Sequence, residues 1–279
     1  MSQFCVVIKI YNEFDMLEGC IQSLAFQELK PVQIIIADDG SPDPRVSEEV
    51  NRLISKFPQL SIELLSLPLK TEPNLDTVGR TWREAWYKLK KNNHCSYFGM
   101  LDADTRLEKD YYQKLIEIMD NELKFACVSG IFKIKSEEKD YTEQINIGAK
   151  VGRKDARGSG KVIRSSFITE VENDFPEVDW DTWINTKAKV RGFKSPQIDF
   201  VVMYQERPTT RVAGKNHFRN GRLSYHFGYN PLLVLLKMIL AKKGGLSILK
   251  GYFDARKKGW RLGDEEVRKY FGWRFFLHL

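Results

Sequence analysis

Cysteine is scarce and scattered in this chain: Cys5, Cys20, Cys95 and Cys127 sit singly inside apolar segments, with no Cys-x-x-Cys pair and no histidine at zinc-finger spacing. That distribution excludes a zinc module and a small disulfide-stapled domain, and it reads all four as reduced core residues. No run is apolar for long enough to cross a bilayer. The strongest, Leu232 to Ala241, has about half the ~20 residues a spanning helix needs, and Lys237 interrupts it. Nothing at Met1-Ser2-Gln3-Phe4 resembles the charged start and small-residue cleavage site of a signal peptide, so a cytoplasmic location is expected. Repeats and low-complexity tracts are also missing. The Gly158-Ser159-Gly160-Lys161 run is too short to be a phosphate-binding P-loop.

What is present is the composition of a folded protein. The chain has 279 residues, of which 42% are hydrophobic and 12% aromatic, enough to bury the core of one large α/β domain or of one domain with an appendage. The net charge of +7 is unevenly spread: residues 207–279 hold 16 Lys or Arg against 4 Asp or Glu, whereas residues 1–206 hold 28 against 33. We therefore expect one domain over 1–206 and a basic segment over 207–279. Basic segments of this kind engage phosphates, of nucleic acid or of anionic lipid.

Short β-branched runs at Phe4 to Ile10 and Val32 to Ala37 read as buried strands. Between them Met16, Leu17, Cys20, Ile21 and Leu24 recur at helical spacing, giving a right-handed βαβ unit. The alternation continues with helices over 45–57, 81–91 and 109–121 and strands over 60–66, 97–101 and 125–133. The fold class is α/β, with a mostly parallel sheet flanked by helices. Residues 136–161, rich in charge and glycine, read as a long irregular segment, a mobile substrate loop.

In the basic segment, Pro231 opens a helix that Gly244-Gly245 closes, and Leu246, Leu249 and Phe253 continue an amphipathic stripe into Arg256-Lys257-Lys258. Such a segment suits a helix lying in the interface of an anionic membrane. The same apolar surfaces, with Tyr270 to Leu279, also suit a homodimer contact.

Ligands of open α/β sheets bind beyond the carboxyl ends of the strands. Three strands here end in suggestive residues: Tyr11-Asn12-Glu13, Asp38-Asp39-Gly40-Ser41 and Asp102-Ala103-Asp104. Asp102 and Asp104, two apart on an extended chain, point to one side, and their oxygens suit Mg²⁺ or Mn²⁺ bridged to substrate phosphates. The bland alternative is a turn in which Asp104 caps a helix beginning near Leu107.

Taken together, these motifs resemble the family 2 glycosyltransferases of the GT-A type, over roughly residues 3–200. The resemblance implies a nucleotide-sugar donor, a divalent metal at the Asp102-x-Asp104 motif, and transfer with inversion. It also implies a donor site in which Asp39 accepts a hydrogen bond from the base, Tyr11 with Asn12 and Glu13 borders it, and Asp38 supports the pocket. An acceptor-only carboxylate suits the ring N–H of uracil or guanine, with a UDP-sugar favoured and a GDP-sugar the alternative. Asn74 to Thr77 falls where the family has an Asn/Gly-rich loop, which leaves Arg80 or Arg83 to pair with the diphosphate.

Asp104 is the better candidate for direct metal contact, with Asp102 nearer the ribose or sugar. Counted back from Gly192, Asp181 falls on the family's catalytic Asp, the base that takes the acceptor's proton. Trp180 replaces the usual acidic neighbour, so Asp179 is a rival base. Trp180 and Trp183 line the acceptor site on this reading. His217 is a candidate further metal ligand or donor contact, and Arg219 and Arg222 are candidates for the diphosphate from a closing segment.

Within the family resembled, chain-extruding synthases carry several spanning helices, so a chain with no spanning run is expected to add single sugars. Its basic amphipathic segment points to a lipid-linked or membrane-proximal glycan acceptor and to an enzyme peripheral on the cytoplasmic membrane face. A nucleotidyltransferase shares the need for metal carboxylates, but usually has a basic Gly-rich loop after the first strand, where this chain has Tyr11-Asn12-Glu13. A nucleic-acid-binding protein using the basic tail is the non-enzymatic rival. The tail's leucines and aromatics exceed what a solvated arm needs, and no nucleic-acid partner is expected.

Overall fold

The computed structural model describes residues 2–12, 14–69, 78–92, 95–135, 141–143, 155–207, 213–241 and 244–272. It divides into two compact units, Met1–Pro208 and Thr209–Leu279.

The first unit opens with β1 (Phe4–Ile10), α1 (Leu17–Ala25) and β2 (Gln33–Asp38), the βαβ unit that the apolar spacing implies. It continues through α2 (Arg45–Lys56), β3 (Ile62–Ser66), α3 (Val78–Asn92) and β4 (Tyr97–Asp102). In β1 only Lys9 is not buried, because both faces of the sheet are covered. Val6, Ile8 and Ile10 of β1 share one core with Leu17, Ile21 and Leu24 of α1 and with Val46, Val50 and Leu53 of α2, residues spaced three and four apart as one helix face requires.

After β4 come β5 (Thr105–Leu107), α4 (Tyr111–Asn121), β6 (Cys127–Lys135), β7 (Tyr141–Glu143), β8 (Lys161–Arg164), α5 (Ser165–Val171), α6 (Trp180–Val190) and β9 (Gln197–Gln205). The strand order is β3-β2-β1-β4-β8-β6-β9-β5, with β7 added beside β6. β1, β2, β3 and β4 run parallel, while β8 is antiparallel to both β4 and β6. The chain leaves β1 on one side toward β2 and returns on its other side as β4. The crevice at their carboxyl ends is thus a topological switch point, where open α/β sheets bind ligands.

Several sequence-based expectations are corrected. No helix begins near Leu107: Thr105–Leu107 pairs with β9, and α4 starts at Tyr111 with Asp110 in the N-cap position. Asp104 is therefore not a helix cap; its backbone carbonyl accepts from the Glu206 amide (2.9 Å). Within the segment expected to be irregular, β7 pairs with β6, and Lys161 already belongs to β8. Residues 136–140 and 144–154, where the rest of the proposed loop falls, lie outside the described residues.

Not all four cysteines are reduced. Cys5 and Cys95 form a disulfide, while Cys20 and Cys127 are free and buried. β1 pairs with β4, and Cys95 lies just ahead of β4 with its Cα 6.0 Å from that of Cys5. The bond closes a loop of 90 residues, which constrains the unfolded chain by about 2–4 kcal/mol. Thiol titration of the denatured protein should count two thiols without reductant and four after reduction. Four without reductant would remove the crosslink.

The second unit is helical: α7 (Ala213–His226), α8 (Pro231–Leu240), α9 (Gly245–Lys257) and α10 (Glu265–Phe271). α7 and α9 approach closely through glycine, since a Cβ on Gly221 would stand 1.9 Å from the Ile248 carbonyl oxygen and one on Gly251 2.0 Å from that of Phe218. α8 starts as its sequence implies, with Pro231 in the first turn and the Asn230 side chain accepting from the Leu232 amide (2.9 Å). Gly245 begins a new helix, so Leu246, Leu249 and Phe253 lie on α9 and do not extend α8. Tyr270 and Phe271 end α10, and residues 273–279 of the proposed dimer surface lie outside the described residues.

Candidate active site

The end of β1 is flanked on both sides by acidic turns, because Ile10 pairs with Asp38 and Lys9 with Asp102. Tyr11 and Asn12 follow, with Asn12 at φ 53°, a left-handed conformation that Asn tolerates better than most residues. The Asn12 amide donates to Ser41 Oγ (2.8 Å), and Ser41 donates from its amide (3.0 Å) and its hydroxyl (2.5 Å) to Asp38 Oδ1. Asp38 thus holds the turn together, and both it and Asp39 are buried. Glu13 lies outside the described residues. Gly40, at φ 82°, is the residue this turn requires, since a Cβ there would stand 2.1 Å from the Pro68 carbonyl oxygen.

Asp39 is fixed from two sides: its amide donates to Ile10 O (3.0 Å), and Thr81 Oγ1 of α3 donates to its Oδ1 (2.6 Å). Thr81 carries no motif signal. Its role depends on α3 folding back over the end of β2.

Asp102 closes β4, and its amide donates to Ser159 Oγ (3.0 Å), which is also hydrogen-bonded to Thr105 Oγ1 (2.8 Å). Asp104 Oδ2 accepts from Gln205 Nε2 (3.3 Å), and both carboxylates are half-buried. Next to Ser159, a Cβ on Gly158 would stand 3.6 Å from Asp181 Oδ2. The short run 158–159 therefore touches the Asp102 turn on one side and the Asp181 carboxylate on the other. Lys161, 0% exposed, completes the link by donating to Asn185 Oδ1 (3.0 Å) and to the Asp181 backbone carbonyl (3.3 Å). Burial lowers its pKa. Asn185 in turn donates to Ala156 O (2.8 Å), tying α6 to the same run. Ser159 and Lys161 belong to the run that resembles the family's small-residue stretch before a strand beneath the acceptor pocket, but neither their partners here nor the role of Asn185 was given by a motif. A lysine at the head of an apolar strand was the available signal.

Asp179 occupies the N-cap position of α6 at φ 53°, ψ 39° without a side-chain cap bond, and Asp181 stands in the first turn. Trp180 and Trp183 are buried, 6% and 0% exposed, so they do not line an open acceptor site. Trp180 packs on Trp82 (ring centroids 5.5 Å) and Phe175 (6.4 Å), because the first turn of α6 presses its aromatics inward and leaves Asp181 half-exposed. The start of α3 meets the same segment: the Gly79 amide donates to Glu177 O (2.8 Å), and Arg83 lies 3.7 Å from the Glu177 carboxylate and 3.8 Å from Glu84. Arg80 shares that helix, while residues 74–77 lie outside the described residues.

Among the described residues no three of His, Cys, Asp and Glu converge to cage a cation. Asp102 and Asp104 offer oxygen ligands alone, a donor set that fits a hard cation taking its other ligands from a substrate. His217, Arg219 and Arg222 belong to α7 of the second unit. There the His217 ring lies against Gly244, and the Arg222 guanidinium stacks over Trp260 (4.4 Å) with Nε 3.7 Å from Asp254.

A mixed sheet with acidic turns at its switch point defines the GT-A class of fold. Residues 5–169 match the model of glycosyl transferase family 2. The chain belongs to that family, and with it to the glycosyltransferase enzymes. No curated protein sequence matches it. Among solved structures it is similar to the mannosyltransferase PcManGT of Pyrobaculum calidifontis in complex with GDP-Man and Mn²⁺ (14% identity, TM-score 0.59, covering 80% of this chain and 62% of that one). It is likewise similar to residues 1–349 of S. aureus TarS in complex with UDP (15%, 0.54, covering 80% and 64%). A third similar structure is GalNAc-T7 with UDP, GalNAc and Mn²⁺ (13%, 0.60, covering 82% and 48%). At these identities the likeness establishes the fold. The chain spans less than two thirds of the length of each of these three structures.

Proposed function

We propose that this chain transfers a single sugar, with inversion, from a nucleotide-diphosphate sugar to a lipid-linked or membrane-proximal glycan. One observation carries the reading: Asp39, Asp102, Asp104 and Asp181 gather around the carboxyl ends of β1 and β4, with run 158–161 joining the Asp102 turn to Asp181. Neighbours of this fold hold GDP-Man or UDP, and two of them Mn²⁺.

In this reading Asp39, clamped by Thr81, accepts from the ring N–H of the base, with Tyr11, Asn12 and Glu13 at its border and Asp38 bracing the turn. Asp102 and Asp104 hold Mg²⁺ or Mn²⁺, which supplies Lewis-acid neutralisation of the departing nucleotide diphosphate. Arg80 or Arg83 of α3 pairs with the diphosphate. Asp181 takes the acceptor's proton from the face opposite the leaving group, with Asp179 the alternative base.

The second unit docks the enzyme on the cytoplasmic membrane face. α8 and α9 expose Leu232, Leu235, Leu236, Ile239, Leu240, Leu246 and Phe253, and each such side chain withdrawn from water contributes about 1.5–3 kcal/mol. A homodimer contact through the same face is the competing use.

The test is thermal unfolding with a panel of nucleotide diphosphates and their sugars, each with Mg²⁺ and with Mn²⁺. A UDP- or GDP-ligand at about a hundred times its Kd should add about 2.7 kcal/mol of stability, and chelation should cancel the gain. No shift with any donor and either metal would sink the reading. Protein that stays in the supernatant with anionic vesicles at low salt would sink the membrane half alone.

A further inference from the structure

We propose that the second unit carries a discrete binding site for the phosphate-bearing headgroup of a membrane lipid, in a cavity walled by Tyr225, Tyr229, Tyr252 and Arg268. The inference rests on the membrane-docking half of the proposed function and gives it a specific anchor. The cavity has a volume of about 510 Å³, within the about 300–1,000 Å³ of ordinary ligand sites. Asn230, Pro231 and Leu232, at the start of α8, complete its rim.

The lining chemistry is that of an anion site. No carboxylate lines the cavity among the described residues. Arg268 donates from Nη1 to the Tyr225 and His226 carbonyls, which aims the guanidinium while leaving Nε and Nη2 without a bond to any described residue. Two hydrogen-bond donors remain on a planar fork, the geometry that suits a phosphate. Burial lowers the Arg268 pKa, but an arginine stays charged at any physiological pH. Gly228, at φ 75°, makes room: a Cβ there would stand 3.3 Å from Arg268 Cζ. Tyr225 and Tyr252 meet edge to face (centroids 5.4 Å), and neither hydroxyl bonds to a described residue. Two tyrosines with unpaired hydroxyls and an arginine with two uncommitted donor nitrogens thus line one cavity, and among the described residues its walls carry no carboxylate.

Continuity with the exposed apolar stripe selects a lipid over a free phosphate ester. Leu232, 64% exposed, sits on the cavity rim and also begins the stripe Leu232, Leu235, Leu236, Ile239, Leu240, whose i, i+3, i+4, i+7, i+8 spacing makes one face of α8. A headgroup held by Arg268 and the tyrosines would have its acyl region beside that face. The net positive charge of residues 207–279 favours an anionic membrane as the source.

The test compares the full chain with the double variant Tyr225→Phe, Tyr252→Phe, which keeps both rings, and with Arg268→Lys. Each binds short-chain phosphatidylglycerol in calorimetry and sediments with phosphatidylcholine vesicles with or without phosphatidylglycerol. The double variant should bind the short-chain lipid about tenfold more weakly, and Arg268→Lys should weaken it by at least as much. Vesicle binding should fall in parallel while the melting temperature of the double variant stays near the parent's. Equal lipid affinity in parent and double variant, or no binding by either, would overturn the site even if vesicles still sediment the protein. Displacement of the lipid by equimolar inorganic phosphate, or lipid binding without vesicle binding, would overturn the membrane as the source.

Discussion

Asp181→Asn is expected to lower the transfer rate by about 10²–10⁴, the usual contribution of a positioned general base, while donor affinity stays at the parent level. An asparagine has nearly the same shape, but its neutral amide oxygen is not basic enough to take the proton of the attacking hydroxyl. The geometry around it should persist, because Lys161 bonds to the backbone carbonyl of residue 181 and not to its carboxylate. Gly158 leaves the side chain room, with 3.6 Å to the nearest carboxylate oxygen from where a Cβ would stand. Donor binding and transfer, measured separately, check the result. Wild-type transfer in Asp181→Asn with loss of transfer in Asp179→Asn would move the base to the N-cap residue of α6. Loss of donor binding would assign Asp181 a structural role.

Asp104→Ala is expected to reduce transfer by about a thousandfold or more, since Lewis-acid neutralisation of a leaving group is worth several kcal/mol and each 1.36 kcal/mol is tenfold in rate. Stability should change far less. The bond that Gln205 donates to the Asp104 carboxylate is long at 3.3 Å, and the bond from the Glu206 amide reaches the backbone carbonyl, which the substitution leaves in place. Transfer and thermal unfolding should be measured on the same preparation, with Mg²⁺ and with Mn²⁺. Parent-like turnover in Asp104→Ala would refute the metal assignment, and a collapse of the melting temperature would make the loss a folding defect.

The parts of the fold that could be read in advance are those whose cause is local. The apolar runs of β1 and β2 and the helical spacing of Leu17, Ile21 and Leu24 are periodicities of neighbouring residues, and they form the expected βαβ unit. Pro231 with Asn230 set the start of α8 for an equally local reason. The failures share a different cause. Thr105–Leu107 became a strand because β9, nearly a hundred residues later, offered it a partner. Cys5 met Cys95, 90 residues later, because β4 pairs alongside β1, and Trp180 turned inward because Trp82 and Phe175 packed there.

The acidic motifs followed the same division. Their residue types and their positions after strands are written in the chain, and with them came the α/β class and the family resemblance. That Thr81 would hold Asp39, that Ser159 would hold the Asp102 turn, and that Lys161 and Asn185 would seat α6 beside them depended on contacts across 42, 57, 20 and 24 residues of sequence. Sequence alone determined which side chains have the chemistry, because chemistry and local periodicity belong to the residues themselves. Only tertiary structure decided which of them meet, because strand register and helix packing are set by partners far away along the chain.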